Sequence, residues 1–434
     1  MAAVVKSLKT LRNHWKKSTF AVVAGSYGVY YLNNRHKENL IRREYCELAR
    51  NYGQQPIHAT AKVKKVTVFL NPAARHGKAS KLFQKNAAPI LHLAGVNVEI
   101  IQSQREGHVK DLVEGLSATD IIVVVGGDGT LAELVTGLLR REDEDNVSRK
   151  WPIGVIPVGT TNTLARYLYE GSQNEVRWMC NAAMAIVKGL TIPIDVMAIK
   201  DADGRTTYAV NHLRWGPLDD AKEKQTKYWY FGPLKQRMAV LFHTLSQNWP
   251  PSNTAKLSYG GPKDIPEPPI PPVEPSIWTK IYWRLFGKPE VKIKEEEEDT
   301  ASTEPKTNKD VTSMEIIIQT NQLQEIEGKK FLSLLTGPEH LSRGDFIKEG
   351  WQRLSSNIIN VESSGISFER ESIGDVDIAP KLTEDKTAWF TIDSERFEAG
   401  PVSITLLPNK LNFFGEPHSA ISNSFNSLAS ETHR

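Results

Sequence analysis

The chain has 434 residues, 40% of them hydrophobic, with 54 basic side chains against 51 acidic ones. A net charge of +3 gives no support for bulk nucleic-acid binding, which usually rests on a strongly basic domain. Cys46 and Cys180 lie in different regions without partners at zinc-ligand spacing, which speaks against a structural metal site. It leaves one disulfide or, the better reading, two inert thiols.

Residues 1–37 contain no Asp or Glu. Lys6, Lys9, Arg12, Lys16 and Lys17 precede an apolar run, Thr19–Leu32, and Arg35 and Lys37 follow it. Acid-free, basic N-termini of this type resemble mitochondrial targeting sequences. Val4, Val5, Leu8, Leu11 and Trp15 recur at helical spacing with lysines between them. The run itself is 14 residues, short of the roughly 20 that cross a bilayer. Three readings compete: a cleaved signal peptide, which lacks a good small-residue cleavage site, a soluble amphipathic helix, and a retained membrane anchor with a mitochondrial address. The last is preferred. Residues 38–61 read as a linker.

Residues 62–200 alternate short β-branched runs with helical stretches. Strands are expected at Lys65–Leu70, Val96–Ile101, Asp120–Val125 and Ile153–Pro157, and helices at Lys78–Leu93, Val109–Leu116, Leu131–Leu139 and from about Asn162. The βαβ rhythm and the nearly continuous apolar strand before Gly126 predict a parallel sheet covered by helices. From about residue 201 strand-like runs dominate: Thr207–Leu213, Ala255–Tyr259, Ser313–Thr320 and Ile358–Ser363. The fold class is therefore α/β: a parallel-sheet domain at 62–200, a mostly β domain at 201–415, and an N-terminal membrane-associated segment. Residues 261–312 are rich in Pro, Glu, Lys and Thr and read as a disordered insert, and 416–434 as a disordered tail. Within the insert, Ser276–Lys288 mixes Trp278, Tyr282, Trp283 and Phe286 with Lys280, Arg284 and Lys288. That mixture fits a membrane-interface helix or a helix packed on the β domain.

Three turns carry the chemistry. Ile121–Val125 runs into Gly126, Gly127, Asp128, Gly129 and Thr130, then a helix. A strand end, a glycine-rich turn and a helix N-terminus make an anion site, because backbone N–H groups and the helix dipole favour negative charge. Glycine lets the backbone approach a phosphate. A carboxylate at Asp128 would repel that phosphate unless it organises a metal, orients groups through water, or takes a proton. The competing reading is a plain turn aspartate. The second turn, Asn71, Pro72, Ala73, Ala74, Arg75, His76, Gly77 and Lys78, offers an amide and two bases. The third runs through Pro157, Gly159, Thr160 and Asn162. No P-loop sequence is present. Three such turns at the ends of parallel strands should sit side by side at one sheet edge, where open α/β sheets bind ligands.

In this order the three turns resemble the diacylglycerol kinase catalytic domain shared by diacylglycerol, sphingosine, ceramide and bacterial lipid kinases. That family also carries a late Asp-Gly-Glu followed by a leucine-proline segment. Here Asp393-Ser394-Glu395 precedes Leu406-Leu407-Pro408, so the resemblance spans about 65–415. Stretches such as LKTLRNHWKKST, LRWGPL and KYWYFGPLK are similar to a mitochondrial branch of the family. Two positions depart from the pattern: Thr163 stands where the family has Asp, and Ser394 where it has Gly.

The resemblance implies ATP and Mg²⁺ as cofactors and an acylglycerol lipid as acceptor, at a mitochondrial inner membrane and facing the intermembrane space. It implies nucleotide binding by Asn71, Pro72, Arg75, Gly77, Lys78, Gly126, Gly127, Gly129, Thr130, Gly159, Thr160, Asn162 and Asp393. Asp128 would act at the transferring phosphoryl group, as base or as indirect metal organiser, and Glu395 is the alternative base. Asp220 matches the position facing the lipid head group, against the plainer reading of a surface turn beside Asp219. Phosphoryl transfer needs mainly positioning and charge neutralisation, which these groups could supply. A second implied role is as a subunit of the inner-membrane translocase that inserts carrier proteins. Rival readings are a sphingosine or ceramide kinase, a soluble kinase with the same glycine turn (NAD kinase, phosphofructokinase), and a non-catalytic import scaffold, which the Thr163 departure keeps open.

Overall fold

The computed structural model describes residues 15–55, 62–169, 174–246, 249, 253–265, 306–322, 324–356, 366–381, 388–393 and 395–415. The segments Ser276–Lys288 and Ile358–Ser363 and the tail 416–434 lie outside these residues. The chain divides into two compact units, one of residues 1–134, 150–192 and 413–434, the other of 135–149 and 193–412.

The first unit begins with helix α1 (Trp15–Gly53). Where the sequence suggests a linker, Glu38–Gly53 continues this helix. Ile41, Tyr45 and Ala49, spaced by four so that they share one face, are buried. The other half is unlike this: Phe20, Val22, Tyr27 and Tyr30 are exposed. Among the described residues no helix is long and apolar enough to cross a membrane.

Next come β1 (Lys65–Leu70), α2 (Ala79–Asn86), α3 (Ala88–Leu93), β2 (Asn97–Gln102), α4 (His108–Glu114), β3 (Ile121–Gly126) and α5 (Asp128–Leu139). They continue into β4 (Ile153–Pro157), α7 (Thr163–Leu168) and α8 (Glu175–Lys188), while α6 (Glu144–Lys150), which precedes β4 in the chain, falls almost wholly in the second unit. The single helix expected over Lys78–Leu93 is two, α2 and α3, with Ala87 between them and Pro89 in the first turn of the second, where a missing N–H costs nothing. Strand order is β2-β1-β3-β4, all parallel. Every residue of β3 is buried, as a strand covered on both faces requires. Asn174 caps α8 by accepting the Val176 and Arg177 N–H groups, and Gly189 ends it in the left-handed region. Helix α1 docks on this unit: Arg42 Nε donates to Asn86 Oδ1 at 2.8 Å, the Tyr45 hydroxyl donates to Asn181, and Gly53 lies directly against the Leu93 carbonyl.

The second unit is a β-sandwich with helices at one side. One sheet has the order β14 (Glu369–Ile373), β13 (Leu332–Thr336), β11 (Ile316–Thr320), β7 (His212–Trp215), β16 (Trp389–Ile392) and β17 (Glu395–Glu398). The other joins β10 (Thr307–Ser313), β8 (Asn253–Tyr259), β15 (Asp375–Pro380) and β18 (Val402–Phe414), with β5 (Thr191–Asp201) paired to β18 and β6 (Thr206–Ala209). The expected insert is corrected at both ends: β9 (Lys263–Asp264) pairs with β12 (Lys329–Lys330), and β10 is ordered against β8. Leu257, Val376 and Ile404 of one sheet bury with Leu213, Ile316, Leu334 and Phe390 of the other, and Trp215 meets Phe390 edge-on at 5.6 Å. Helices α9 (Pro217–Glu223), α10 (Lys235–Ser246) and α11 (Arg343–Ser356) share a smaller core of Leu218, Ala221, Val240, Met314 and Phe346.

Candidate active site

Strands β1, β3 and β4 are neighbours, so their three polar turns come together at one end of the first unit's sheet. Asn71 ties the first turn to the second. Its N–H donates to the Val125 carbonyl at 3.1 Å, and its side-chain amide donates to Thr130 Oγ1 at 3.0 Å. Its Oδ1 accepts the Ala73 N–H at 3.0 Å. The following residues Arg75, His76 and Gly77 all have positive φ, a coil that only the glycine adopts without strain. Arg75 pairs with Glu175, and Lys78 is exposed.

The second and third turns are stacked backbone on backbone. A Cβ on Gly159 would stand 2.3 Å from Gly127 Cα, and one on Gly127 would stand 2.8 Å from the Thr161 carbonyl. Both glycines are required by this approach. Val158 N–H and Gly159 N–H donate to the Gly126 carbonyl at 3.2 and 3.0 Å. Asn162 closes the third turn on itself, its Oδ1 accepting the Gly159 N–H and its Nδ2 donating to the Gly159 carbonyl. Thr160 is exposed beside it. Gly129 differs from the others, with open space where a Cβ would be.

Asp128 is the first residue of α5, three positions earlier than the expected helix start, and only 3% exposed. Thr163 N–H donates to its Oδ1 at 2.7 Å, and Thr163 Oγ1 donates to its Oδ2 at 2.9 Å. These two bonds fix the orientation of the Asp128 side chain at the start of α5. Sequence reasoning marked Thr163 only as a departure. The structure makes it the direct partner of Asp128.

The remaining predicted residues belong to the second unit. Asp393, with φ near +50°, accepts the N–H groups of Val210, Asn211 and His212 at 2.9, 2.9 and 3.0 Å. Both its oxygens are thereby engaged in holding the start of β7 and the tight β16–β17 turn, in which Glu395 pairs with Ile392. Asp220 on α9 is bound by Arg396, the neighbour of Glu395, at 2.7 Å. Arg396 in turn lies over the Trp389 ring at 5.1 Å. Burial pushes the Asp220 carboxyl above its ordinary range; the Arg396 guanidinium opposes this and the Asp219 carboxylate adds to it. Asp219 is buried against Arg214. Arg396 and Arg214 carry no signal in sequence, because their partners become neighbours only through the β-sheet and α9.

Beside α9 a small cleft is lined by Pro217, Leu218, Met314, Leu341, Phe346 and Phe368 together with the buried side chains of Glu315, Glu349 and Arg353. Arg353 is fixed there by Glu315 at 2.7 Å and Glu349 at 2.8 Å.

Among the described residues no three His, Cys, Asp or Glu side chains cluster as a metal cage. The donor set fits an ion carried mainly by nucleotide phosphates and water, as Mg²⁺ usually is, with Asp128 as the nearby carboxylate.

The chain matches the model of the diacylglycerol kinase catalytic domain over 65–199 and that of the acylglycerol kinase C-terminal region over 210–423. Residues 13–115 match the model of inner membrane protein import complex subunit Tim54. The chain is 43% identical to human (Homo sapiens) mitochondrial acylglycerol kinase, covering 94% of this chain and 96% of that one. The Xenopus laevis counterpart is 41% identical, with 96% of each covered. Sphingosine kinase 1 of Rattus norvegicus is 31% identical over 42% of this chain and 49% of its own length. A candidate diacylglycerol kinase from Bacillus anthracis str. Sterne superposes with a TM-score of 0.51 at 17% identity, covering 83% of this chain and 99% of that one, a likeness of fold.

Proposed function

The chain belongs to the acylglycerol kinase family, and from that premise we propose that it transfers the γ-phosphate of ATP to the free hydroxyl of a mono- or diacylglycerol in mitochondria, at the inner membrane. The product would be lysophosphatidic or phosphatidic acid. The observation that carries the reading is the interlocked set of three turns with Asp128 fixed beneath them by Thr163.

In this reading Asn71, Gly126, Gly127, Gly129, Thr130, Gly159, Thr160 and Asn162 hold the nucleotide, with the N-terminus of α5 toward the phosphates. Pro72, Arg75, Gly77 and Lys78 shape and charge the rim of that site. Mg²⁺, when bound, neutralises phosphate charge. Asp128 accepts the proton of the lipid hydroxyl as the hydroxyl attacks. Thr163 keeps both carboxylate oxygens oriented, so no reorientation is needed at that moment. Asp220, held by Arg396, takes the glycerol head group. Asp393 sets the turn that carries Glu395. The mostly β second unit takes the acyl chain. The test is phosphorylation of acylglycerol in mixed micelles by the purified chain, with and without ATP and Mg²⁺. Phosphorylated lipid that requires both supports the reading, and none at any nucleotide concentration removes it.

A second role in inner-membrane protein import is supported by the match over 13–115, which includes helix α1 with its exposed aromatic half. Carrier-protein import in mitochondria whose own copy has been replaced by Asp128→Asn separates the two roles. Import that survives without lipid phosphorylation makes them independent.

A further inference from the structure

The stretch KYWYFGPLK has a place in the fold that the kinase chemistry does not use. Between α9 and α10 the chain runs as a 3₁₀ segment, Lys224–Leu234, bent at Tyr228 and Gly232. Trp229 is 76% exposed, Tyr230 61% and Leu234 50%. These rings are held together: Tyr230 lies on Phe231 at 4.6 Å, and Tyr228 stacks on Phe242 of α10 at 5.2 Å. The projecting aromatics therefore stand on a packed base. Residues 224–237 include Lys224, Lys227, Lys235 and Arg237 and no acidic residue.

We propose that this segment is a membrane-docking surface, in which Trp229, Tyr230 and Leu234 enter the interface of an anionic bilayer while Lys227, Lys235 and Arg237 meet its headgroups. The pairing of chemistry selects a bilayer over a protein partner. Trp and Tyr settle at the headgroup level because one end is apolar and the other polar, and bases beside them gain from an anionic surface. A membrane-borne substrate would then be drawn from the same surface, a step that rests on the kinase reading. The docking itself does not.

The first test is independent of activity. The full-length chain carries Trp229→Cys and Cys46→Ser, leaving Cys180 buried, and position 229 bears an environment-sensitive dye. The Cys46→Ser parent, treated identically, sets the background. On phosphatidylcholine vesicles with about a fifth phosphatidylserine, the dye emission should shift to the blue and be quenched by brominated acyl chains. Any binding through α1 only brings more molecules to the vesicle. A dye that remains water-exposed on vesicle-bound protein overturns the proposal, as does a blue shift that needs an added protein. In the second test, Trp229→Glu with Tyr230→Glu should lower phosphorylation of vesicle-borne acylglycerol about tenfold or more, since charge at this depth disfavours insertion. Turnover of a soluble short-chain acylglycerol should be unchanged. Equal losses on both substrates would place the loop in the catalytic machinery and overturn the docking role. A chain that phosphorylates neither substrate even as wild type, yet passes the dye test, would remove the kinase reading and leave the surface standing.

Discussion

Thr163 holds Asp128 by two hydrogen bonds, one from its backbone N–H and one from its hydroxyl, each to a different carboxylate oxygen. Substituting the side chain can remove only the second. Thr163→Ala should leave the fold intact and lower kcat by about tenfold or more, the worth of one hydrogen bond to a buried carboxyl group at roughly 1.5–3 kcal/mol. Thr163→Ser should recover most of the rate. KM for ATP should move little, because the lost bond orients a carboxylate and does not touch the nucleotide. A Ser variant as slow as Ala would show that the methyl packing matters and the hydroxyl does not.

Asp128→Asn tests the carboxylate itself. The amide can keep both contacts: its oxygen accepts the Thr163 N–H, and its nitrogen donates to the Thr163 hydroxyl. Thermal stability should therefore be nearly unchanged. The rate should fall by ~10²–10⁴-fold, as when a proton acceptor is lost. Activity within about threefold of wild type at equal stability would contradict the role given to Asp128.

The glycines of the turns should separate into two classes. Gly159→Ala forces a methyl group into Gly127 Cα at 2.3 Å, and backbone on both sides leaves nothing flexible to yield. It should cost about 1–3 kcal/mol of stability and weaken nucleotide binding by parting the two turns. Gly129→Ala meets open space on a helix, so it should be neutral or stabilising by up to ~1 kcal/mol. If a phosphate rests against Gly129, that stable variant should still bind ATP less tightly in calorimetry. The pair thus distinguishes architecture from ligand contact.

Acid should weaken the second unit in a defined window. His243 is buried on α10, and burial together with the Lys224 ammonium, 3.2 Å away, pushes its pKa down to about 4. In the unfolded chain it titrates near about 6.5. The folded state binds the proton less readily, so the stabilisation is complete above about pH 6.5 and is lost as pH falls toward about 4, at up to ~3 kcal/mol. Buried His212 shifts in the same direction. Asp195, Asp219 and Asp220 are held high by burial and act oppositely, favouring the fold at low pH. The readout is therefore a difference: the urea midpoint of wild type should fall relative to that of His243→Leu as pH falls. A constant gap across the window would refute the assignment.

The turns were legible because their information is local. An apolar strand, a glycine pair and a helix start are contiguous in Ile121–Leu139, and parallel pairing brings three such units to one edge. The partners of the acids were not legible. Thr163 lies 35 residues from Asp128, and Arg396 lies 176 from Asp220. Nothing in either local stretch encodes those meetings, which depend on strand order and on the hairpin at Asp393. The helix at Glu38–Gly53 was missed for a different reason. Its buried face is only Ile41, Tyr45 and Ala49 among many charges, a weak amphipathic signal.

That helix gives the last prediction. Deleting residues 1–37 removes the basic, acid-free segment and the exposed aromatic half of α1 but keeps the half that packs. The shortened chain should fold and phosphorylate acylglycerol in detergent micelles at a near-normal rate. It should do worse on bilayers, where a tethered enzyme meets its substrate at higher effective concentration. Deleting residues 1–55 is a different experiment. It strips Ile41, Tyr45 and Ala49 from the first unit's surface, together with the Arg42–Asn86 and Tyr45–Asn181 contacts. Large apolar side chains contribute about 1.5–3 kcal/mol each when fully buried. Several such losses rival the whole stability of a domain, typically about 5–15 kcal/mol. The longer deletion should therefore lower the first unit's unfolding temperature sharply, with activity lost in micelles and bilayers alike. Equal melting temperatures for the two truncations would show that Glu38–Gly53 adds nothing to the unit it covers. Loss of micelle activity in the shorter, folded truncation would instead place residues 1–37 in the catalytic machinery.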